Sequence, residues 1–458
     1  MPDHAGLLGS LRRLRSDPLG LFVEAATRHE NLAAFRAAHR RVYLLTGPEP
    51  IAHVTVRNRQ NYVKGVSYDA LRVPIRDALL TLDGPVAHER RRLLMPLFTR
   101  RWLMDAVPAI VSAVESHFDR WDRLAAAGRP FNVVSEMNRL AFDVVGRVLL
   151  GTELGASMTE LERLIDDASD WVAHRTRAIV PLPPVLPTKR NRAYRRAERD
   201  IRAFTERLIA TRRADGAGDD MLSRLLAVRD ERGRPLADDE IRDEIIGFLM
   251  AGHQTTGAGL AWTWYLLARH PEVDARLAHE IDAMLGDAGA PAAGDLERLG
   301  YLGQVLDEAM RLYPPGWAFT RTPLEDDELA GRRIRAGSVI VISSYANQRS
   351  SRIWPDPERF DPDRFAPERP APDAHAYFPF GTGPHACIGK HLALIEAKVA
   401  MAMLVCRYRL RLISPRPVAP TPGITLTPSR PILVRAERRP AAQGPAYWPM
   451  AWNDAARL

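Results

Sequence analysis

The chain has 458 residues, 46% of them hydrophobic and 26% charged, with a formal net charge of +8. That balance excludes a disordered chain, a coiled coil and a collagen. Only four of the 64 basic residues are lysines, and the arginines are scattered among 56 acids. This pattern argues against a nucleic-acid binder and for an acidic protein partner or an anionic ligand.

Residues 18–40 read as a helix with Leu19, Leu21, Phe22 and Ala25 on its apolar side. Short strands are predicted over 41–55, where VYLL and IAHVTV concentrate β-branched residues. Helical periodicity dominates from 88 to 285, with candidates at 101–125, 136–151 and 157–176. The prolines of VPLPPVLP, 180–187, interrupt it, and a basic amphipathic helix with a solvated face resumes at 190–212. The longest pattern, 238–269, predicts a helix of about 48 Å. Its middle is apolar all round and belongs in the interior. Asp238 stands at the cap position, with Asp239 and Glu240 in the first turn. Further helices are predicted at 271–285, at 296–313 (stopped by Pro314 and Pro315) and at 388–407. RIRAGSVIVIS, 333–343, alternates as a hairpin or a pair of strands, and 351–379, with seven prolines, is irregular.

The chain is therefore mainly α with a smaller β portion, an α+β fold. Residues 1–436 read as one domain and 437–458 as a weakly structured extension, whose two tryptophans are the alternative anchor. Two cysteines, Cys387 and Cys406, cannot staple so long a chain, which points to a reducing compartment. No run of eighteen uncharged apolar residues occurs, and the first twenty residues hold no apolar core with a small-residue cleavage site. A cytoplasmic monomer without a membrane span is expected.

Four motifs carry chemistry. FPFGTGPHACIGKHLAL sets Phe380, Gly381, Gly383, His385, Cys387 and Gly389 immediately before a helix. Unpaired N–H groups at a helix N-terminus favour a thiolate, and the glycines allow close backbone approach. Glu308 and Arg311 share a helix face three residues apart. In AGHQTT, 251–256, Ala251 and Gly252 remove bulk, and Thr255 can bond back to a helix carbonyl. His88 and Arg92 stand four apart on a helix. Taken singly, these are a buried cysteine, a surface ion pair, a helix crossing and a solvated basic face.

Taken in order and spacing, they resemble the cytochrome P450 family over nearly the whole chain. The resemblance implies a P450 fold with the 238–269 helix crossing above a haem b, and Cys387 as the axial thiolate of its iron. Phe380, Gly381, Gly383, His385 and Gly389 would form the loop around it, His385 replacing a more usual arginine. Arg364, in FDPDRF, would complete a structural network with Glu308 and Arg311. His88, Arg92, Arg321 and His385 would hold the propionates, with Arg91 the alternative to Arg92. Ala251 and Gly252 would border the oxygen groove, and Thr255 would help deliver protons. Gln254 replaces the usual acid, and glutamine orients water without exchanging a proton. Substrate contacts would include Tyr62, Tyr68, Phe248, Trp317 and Phe319.

The implied function is a haem-thiolate monooxygenase that activates O2 to hydroxylate or epoxidise a lipophilic molecule such as a fatty acid, terpene, steroid or polyketide. Oxidative coupling, desaturation, peroxide-driven oxidation and a non-catalytic haem module are the alternatives. No flavin or iron–sulfur module follows residue 430, so a ferredoxin or flavodoxin with an NAD(P)H-dependent reductase is the expected electron source. Arg100, Arg101 and Lys390 are candidates to meet an acidic donor.

Overall fold

The computed structural model describes residues 13–14, 16–37, 40–151, 156–177, 183–216, 218 and 220–439. Helix α1 (Pro18–Arg28) starts at Asp17, whose carboxylate accepts the Gly20 N–H at 2.9 Å. It stops at Arg28, well short of residue 40. His29 turns extended, and the following residues pair as β1 (Leu32–Ala37) against β2 (Arg40–Leu45), antiparallel. The helical reading of 29–40 fails because Ala33 and Phe35 find cross-strand partners in Leu44 and Val42. With β3 (Tyr62–Lys64), β4 (Phe319–Pro323) and β5 (Val339–Ile342), these strands make a sheet of order β1-β2-β5-β4-β3. The β2–β5 pair is parallel and the others are antiparallel.

Residues 51–56 are not a strand. They continue a helical turn, Pro48–Ala52, into a wider turn, His53–Arg57. Pro48 fixes a helical φ at the first position and starts the turn despite the β-branched residues that follow. The predicted 101–125 helix is three pieces, Arg100–Asp105, Val107–Glu115 and Phe118–Ala126. Pro108 sits in the first turn of the second piece, where its missing N–H is tolerated. The two halves of 333–343 belong to different sheets. Residues 332–334 pair with 327–329, while β5 pairs with β2 and β4.

The helical body comprises α2 (Gly84–Leu94), α3 (Val133–Leu150), α4 (Ala156–Arg177), α5 (Lys189–Asp215), α6 (Asp238–Arg269), α7 (Pro271–Leu285), α8 (Gly300–Leu312) and α9 (Lys390–Arg407). The break at 180–187 lies partly outside the described residues, and 183–188 is non-helical. Helix α6 has Ala237 as its cap residue and Asp238 as its first helical residue, and Glu240 reaches back to accept the Ala237 N–H at 2.9 Å.

Along its length α6 runs against α3. A Cβ at Gly257 would lie 2.2 Å from the Asn138 side-chain oxygen, so glycine is what permits the approach. Trp262 is wholly buried, stacks on Tyr313 at 4.0 Å, and donates its indole N–H to the Leu426 carbonyl at 3.0 Å. Burying a ring of that size stabilises by roughly 5 kcal/mol. At the far end, β6 (Tyr408–Leu412), β7 (Leu433–Arg438) and Phe131–Asn132 form a second sheet. Strand β7 extends past 436, and the extension from 440 onward, tryptophans included, lies outside the described residues. Among the described residues no helix is long and apolar enough to cross a membrane.

Candidate active site

A cavity of about 800 Å³ lies between the middle of α6 and the loop that precedes α9. On the α6 side its wall is formed by Gly247, Phe248, Ala251, Gln254, Thr255 and Gly259, a spacing of three and four that marks one helix face. Ala251 is exposed although it sits mid-helix in the interior, because it opens onto this space. The Thr255 hydroxyl donates to the Ala251 carbonyl at 2.7 Å. Gln254 donates its amide to Asp166 Oδ1 of α4 at 2.8 Å. Gly252 is placed differently from expectation. A Cβ there would meet Val145 of α3 at 3.0 Å, so its small size serves a helix crossing.

The opposite wall carries Phe380, Gly381, His385 and Cys387. Cys387 is deep in the molecule, yet its side chain is exposed because it faces the cavity. Its own N–H donates to the Phe380 carbonyl at 2.8 Å, closing the loop, and the Gly389 N–H bonds the sulfur. Gly383 is not on the wall. Its φ of +70° and the Thr55 carbonyl, which a Cβ would approach to 2.2 Å, dock the loop on the His53–Arg57 turn. The helix-terminus argument alone predicts a lowered thiol pKa, but the net direction is up. Burial outweighs the Gly389 N–H, Arg91 and Lys390, which all pull it down. A cation at the sulfur is what would tip this balance to thiolate.

Behind the loop, Glu308 and Arg311 are wholly buried and paired. Arg311 Nε donates to Oε2 at 2.6 Å and Nη2 to Oε1 at 2.8 Å. Arg311 also reaches the carbonyls of Gln348, Pro357 and Arg359 at 2.8, 2.7 and 3.1 Å. Glu308 accepts the Asp361 N–H at 2.9 Å, and Arg364 Nε lies 3.4 Å from its Oε1. Gln348 passes this network on, its Oε1 accepting the Phe378 N–H at 3.1 Å. No sequence signal pointed to Gln348, which lies thirty residues from its partner.

One end of the cavity is strongly basic. His88 and Arg91 of α2, Arg321 of β4, Lys64 of β3 and His385 all line it. Burial, then Arg321, Lys64, His88 and Arg91, push His385 down to about 3. Arg321 is 3% exposed, and the only hydrogen bond of its guanidinium among the described residues goes to its neighbour's carbonyl, Thr320, at 2.9 Å. Arg92, the first expectation, faces away and pairs with Glu231 at 2.6 Å on the surface. Positions three and four beyond His88 flank its direction on opposite sides, and the cavity is on Arg91's side.

Of the proposed substrate contacts, Tyr68, Phe248, Trp317 and Phe319 line the cavity. Tyr62 does not. It is buried, and its hydroxyl donates to Asp327 at 2.6 Å, within a cluster that also holds His53 and Asn58. A buried phenol needs a polar partner, and Asp327 supplies one away from the cavity. Sequence reasoning did not single out Ile424 and Thr425, which also line the space.

The profile of the family described as cytochrome P450 matches residues 2–435. The chain belongs to the cytochrome P450 family. It is similar to cyclooctat-9-en-7-ol 5-monooxygenase of Streptomyces melanosporofaciens, 34% identical over 93% of this chain and 90% of that protein. Pentalenene oxygenase of Streptomyces avermitilis is 33% identical over 96% of this chain and 98% of its own length. Among solved structures, the cytochrome P450DA heme domain superposes with a TM-score of 0.86 at 27% identity, covering 96% of this chain and 97% of that one.

Membership of the P450 family makes this chain a monooxygenase, an oxidoreductase, and implies a haem. The residues of this P450 fit that group. A cysteine sulfur faces the cavity on one side. At its end, Arg91 and Arg321 have no carboxylate partner among the described residues, which is a site built for anionic groups such as propionates.

Proposed function

We propose that this P450 hydroxylates or epoxidises a terpene-class substrate, using haem b held by Cys387. The carrying observation is one cavity with a cysteine sulfur on one wall, Ala251, Gln254 and Thr255 on the other, and apolar side chains around both. When bound, the haem supplies the oxygen activation and C–H oxidation chemistry. This chain's residues do the rest. Cys387 would hold the haem iron through its sulfur, and Arg91, Arg321, His88 and His385 would hold the propionates. Glu308, Arg311 and Arg364 fix the loop through Gln348. Thr255 bonds the Ala251 carbonyl and takes part in proton delivery.

Phe248, Trp317 and Phe319 offer broad apolar surface with few polar groups, which suits a hydrocarbon skeleton. Two similar proteins carry names that refer to cyclooctat-9-en-7-ol and pentalenene, which supports the terpene class. Residues 1–436 act as one catalytic unit. Electrons come from a ferredoxin or flavodoxin with an NAD(P)H-dependent reductase in the cytoplasm. Lys390 and Arg101 suit an acidic donor, Arg101 having among the described residues only Asp105, at 4.0 Å, whereas Arg100 is paired with Glu297. The test is a spectral titration of purified holoenzyme with cyclic terpenes, followed by turnover under labelled O2. A substrate-induced shift with label in the product is expected. Shifts only with fatty acids would refute the terpene class, and unlabelled product would refute oxygen insertion from O2.

A further inference from the structure

Oxygen insertion consumes protons as well as electrons: R–H + O2 + 2 e⁻ + 2 H⁺ gives R–OH + H2O. If both oxygens leave with the same electrons and protons, O2 + 2 e⁻ + 2 H⁺ gives H2O2 and the substrate is untouched. The polar residues that α6 offers to the cavity are Glu244, Gln254, Thr255, Thr256 and Thr263. Glu244 is taken up by Arg90 and the Leu79 N–H, and Thr263 by the Gly259 carbonyl, so the groups left to govern how protons arrive are Gln254, Thr255 and Thr256. The Thr255 hydroxyl hydrogen is committed to the Ala251 carbonyl. Gln254 has its nitrogen 2.8 Å from Asp166 Oδ1. An ionised carboxylate only accepts, so it fixes which end of the amide faces it. The Gln254 carbonyl oxygen is thereby turned the other way, and it has no hydrogen-bond partner among the described residues.

The same Oδ1 also lies 3.3 Å from Nε2 of His253, a wholly buried ring whose Nδ1 faces the Leu249 carbonyl at 3.1 Å. Asp166 is a residue of α4, eighty-eight positions from Gln254, and its side chain is 48% exposed, so the assembly joins solvent to the cavity wall. A water that donates one hydrogen to a fixed carbonyl oxygen has its second hydrogen free to give.

We propose that Asp166 is a positioning residue for proton delivery. It locks the Gln254 amide so that its carbonyl oxygen faces the cavity and orients a proton-donating water beside Thr255. The assembly does with two side chains on two helices what one acidic side chain at 254 would do alone. It rests on the monooxygenase activity and not on the terpene assignment.

The test is Asp166→Asn in the holoenzyme. Asparagine presents an NH2 as well as a carbonyl, so it no longer dictates the amide's orientation. The infrared stretch of carbon monoxide bound to the reduced protein should shift or split as the amide turns. The share of electrons released as H2O2 should rise severalfold, and the solvent isotope effect on product formation should grow. The thermal midpoint should stay unchanged. Asp166→Glu, still acceptor-only, should resemble the parent. In a Gln254→Ala background Asp166→Asn should do nothing more. A carbon monoxide band and a peroxide share both unchanged in Asp166→Asn would overturn the proposal, as would a full-sized effect in the Gln254→Ala background. The band reads amide orientation with or without turnover, so it tests Asp166 equally well if the substrate class is wrong.

Discussion

Replacing Glu308 by glutamine removes one charge and one acceptor oxygen from a pair that has no access to water. Both carboxylate oxygens face only N–H donors: Arg311 Nε on one, and Arg311 Nη2, the Asp361 N–H and Arg364 Nε on the other. Burial pushes the Glu308 carboxyl up, while Arg311, the Asp361 N–H and Arg364 oppose it. A proton on either oxygen would point at a donor, so the ionised form is the one this geometry accommodates. Glutamine fills one oxygen position and turns an NH2 toward the guanidinium or toward the Asp361 N–H. One charge-assisted bond, about 1.5–3 kcal/mol, is lost outright. Arg311 becomes an uncompensated buried charge, and breaking such a pair costs about 3–5 kcal/mol in total. That is a large fraction of the ~5–15 kcal/mol available to a folded domain. The displacement reaches the cysteine loop, because the Gln348 carbonyl receives Arg311 and its side chain holds the Phe378 N–H. The assay pairs urea unfolding with the thiolate-type Soret band of the reduced, carbon monoxide-bound protein. Glu308→Gln should lose both stability and most of that band. A variant within about 1 kcal/mol of the parent and with a full band would refute the argument.

Cys387→Ser should fold yet lose the thiolate-type band, and an unchanged spectrum would remove Cys387 as ligand. Arg91→Leu should weaken haem retention, measured by transfer to apomyoglobin. Arg92→Leu, breaking only a surface pair, should be silent and change stability by no more than about 0.5 kcal/mol; equal effects would restore Arg92 as a propionate contact. Glu244 is buried on α6 and lines the cavity, and burial pushes its carboxyl up to about 7 from its ordinary 4.5, with Arg90 and the Leu79 N–H opposing and Asp243 adding to it. A raised folded value means that the native chain binds the extra proton, so this contribution is full below 4.5 and lost as pH rises through 7. The swing is roughly 3 kcal/mol. Glu244→Gln should therefore flatten the decline in unfolding free energy across that range, and a slope equal to the parent's would count against the burial argument.

What could be read from the sequence is what local chemistry decides. Helices 238–269 and 271–285 fall on their expected residues because Pro271 cannot continue the first and is well placed to begin the second. The fold class and the cysteine loop were legible for a similar reason: each depends on residues within a few positions of one another. Readings failed where a distant partner decides. Residues 32–37 become a strand because 40–45 lies beside them and β5 beside that, some three hundred residues away in the chain. Tyr62 is a reasonable cavity residue until Asp327 is brought to its hydroxyl. His88 selects Arg91 over Arg92 through a helix phase that packing sets.

Position 254 shows why such failures are instructive. Read along the chain, glutamine there is a loss, since it cannot exchange a proton. Read in three dimensions, α4 crosses α6 at that turn and brings Asp166 to the amide, so the missing carboxylate stands one hydrogen bond farther out. No spacing in the sequence relates residue 166 to residue 254. The two are joined only because α4 packs over α6 on the cavity's rim, and a site is a property of that packing as much as of any motif.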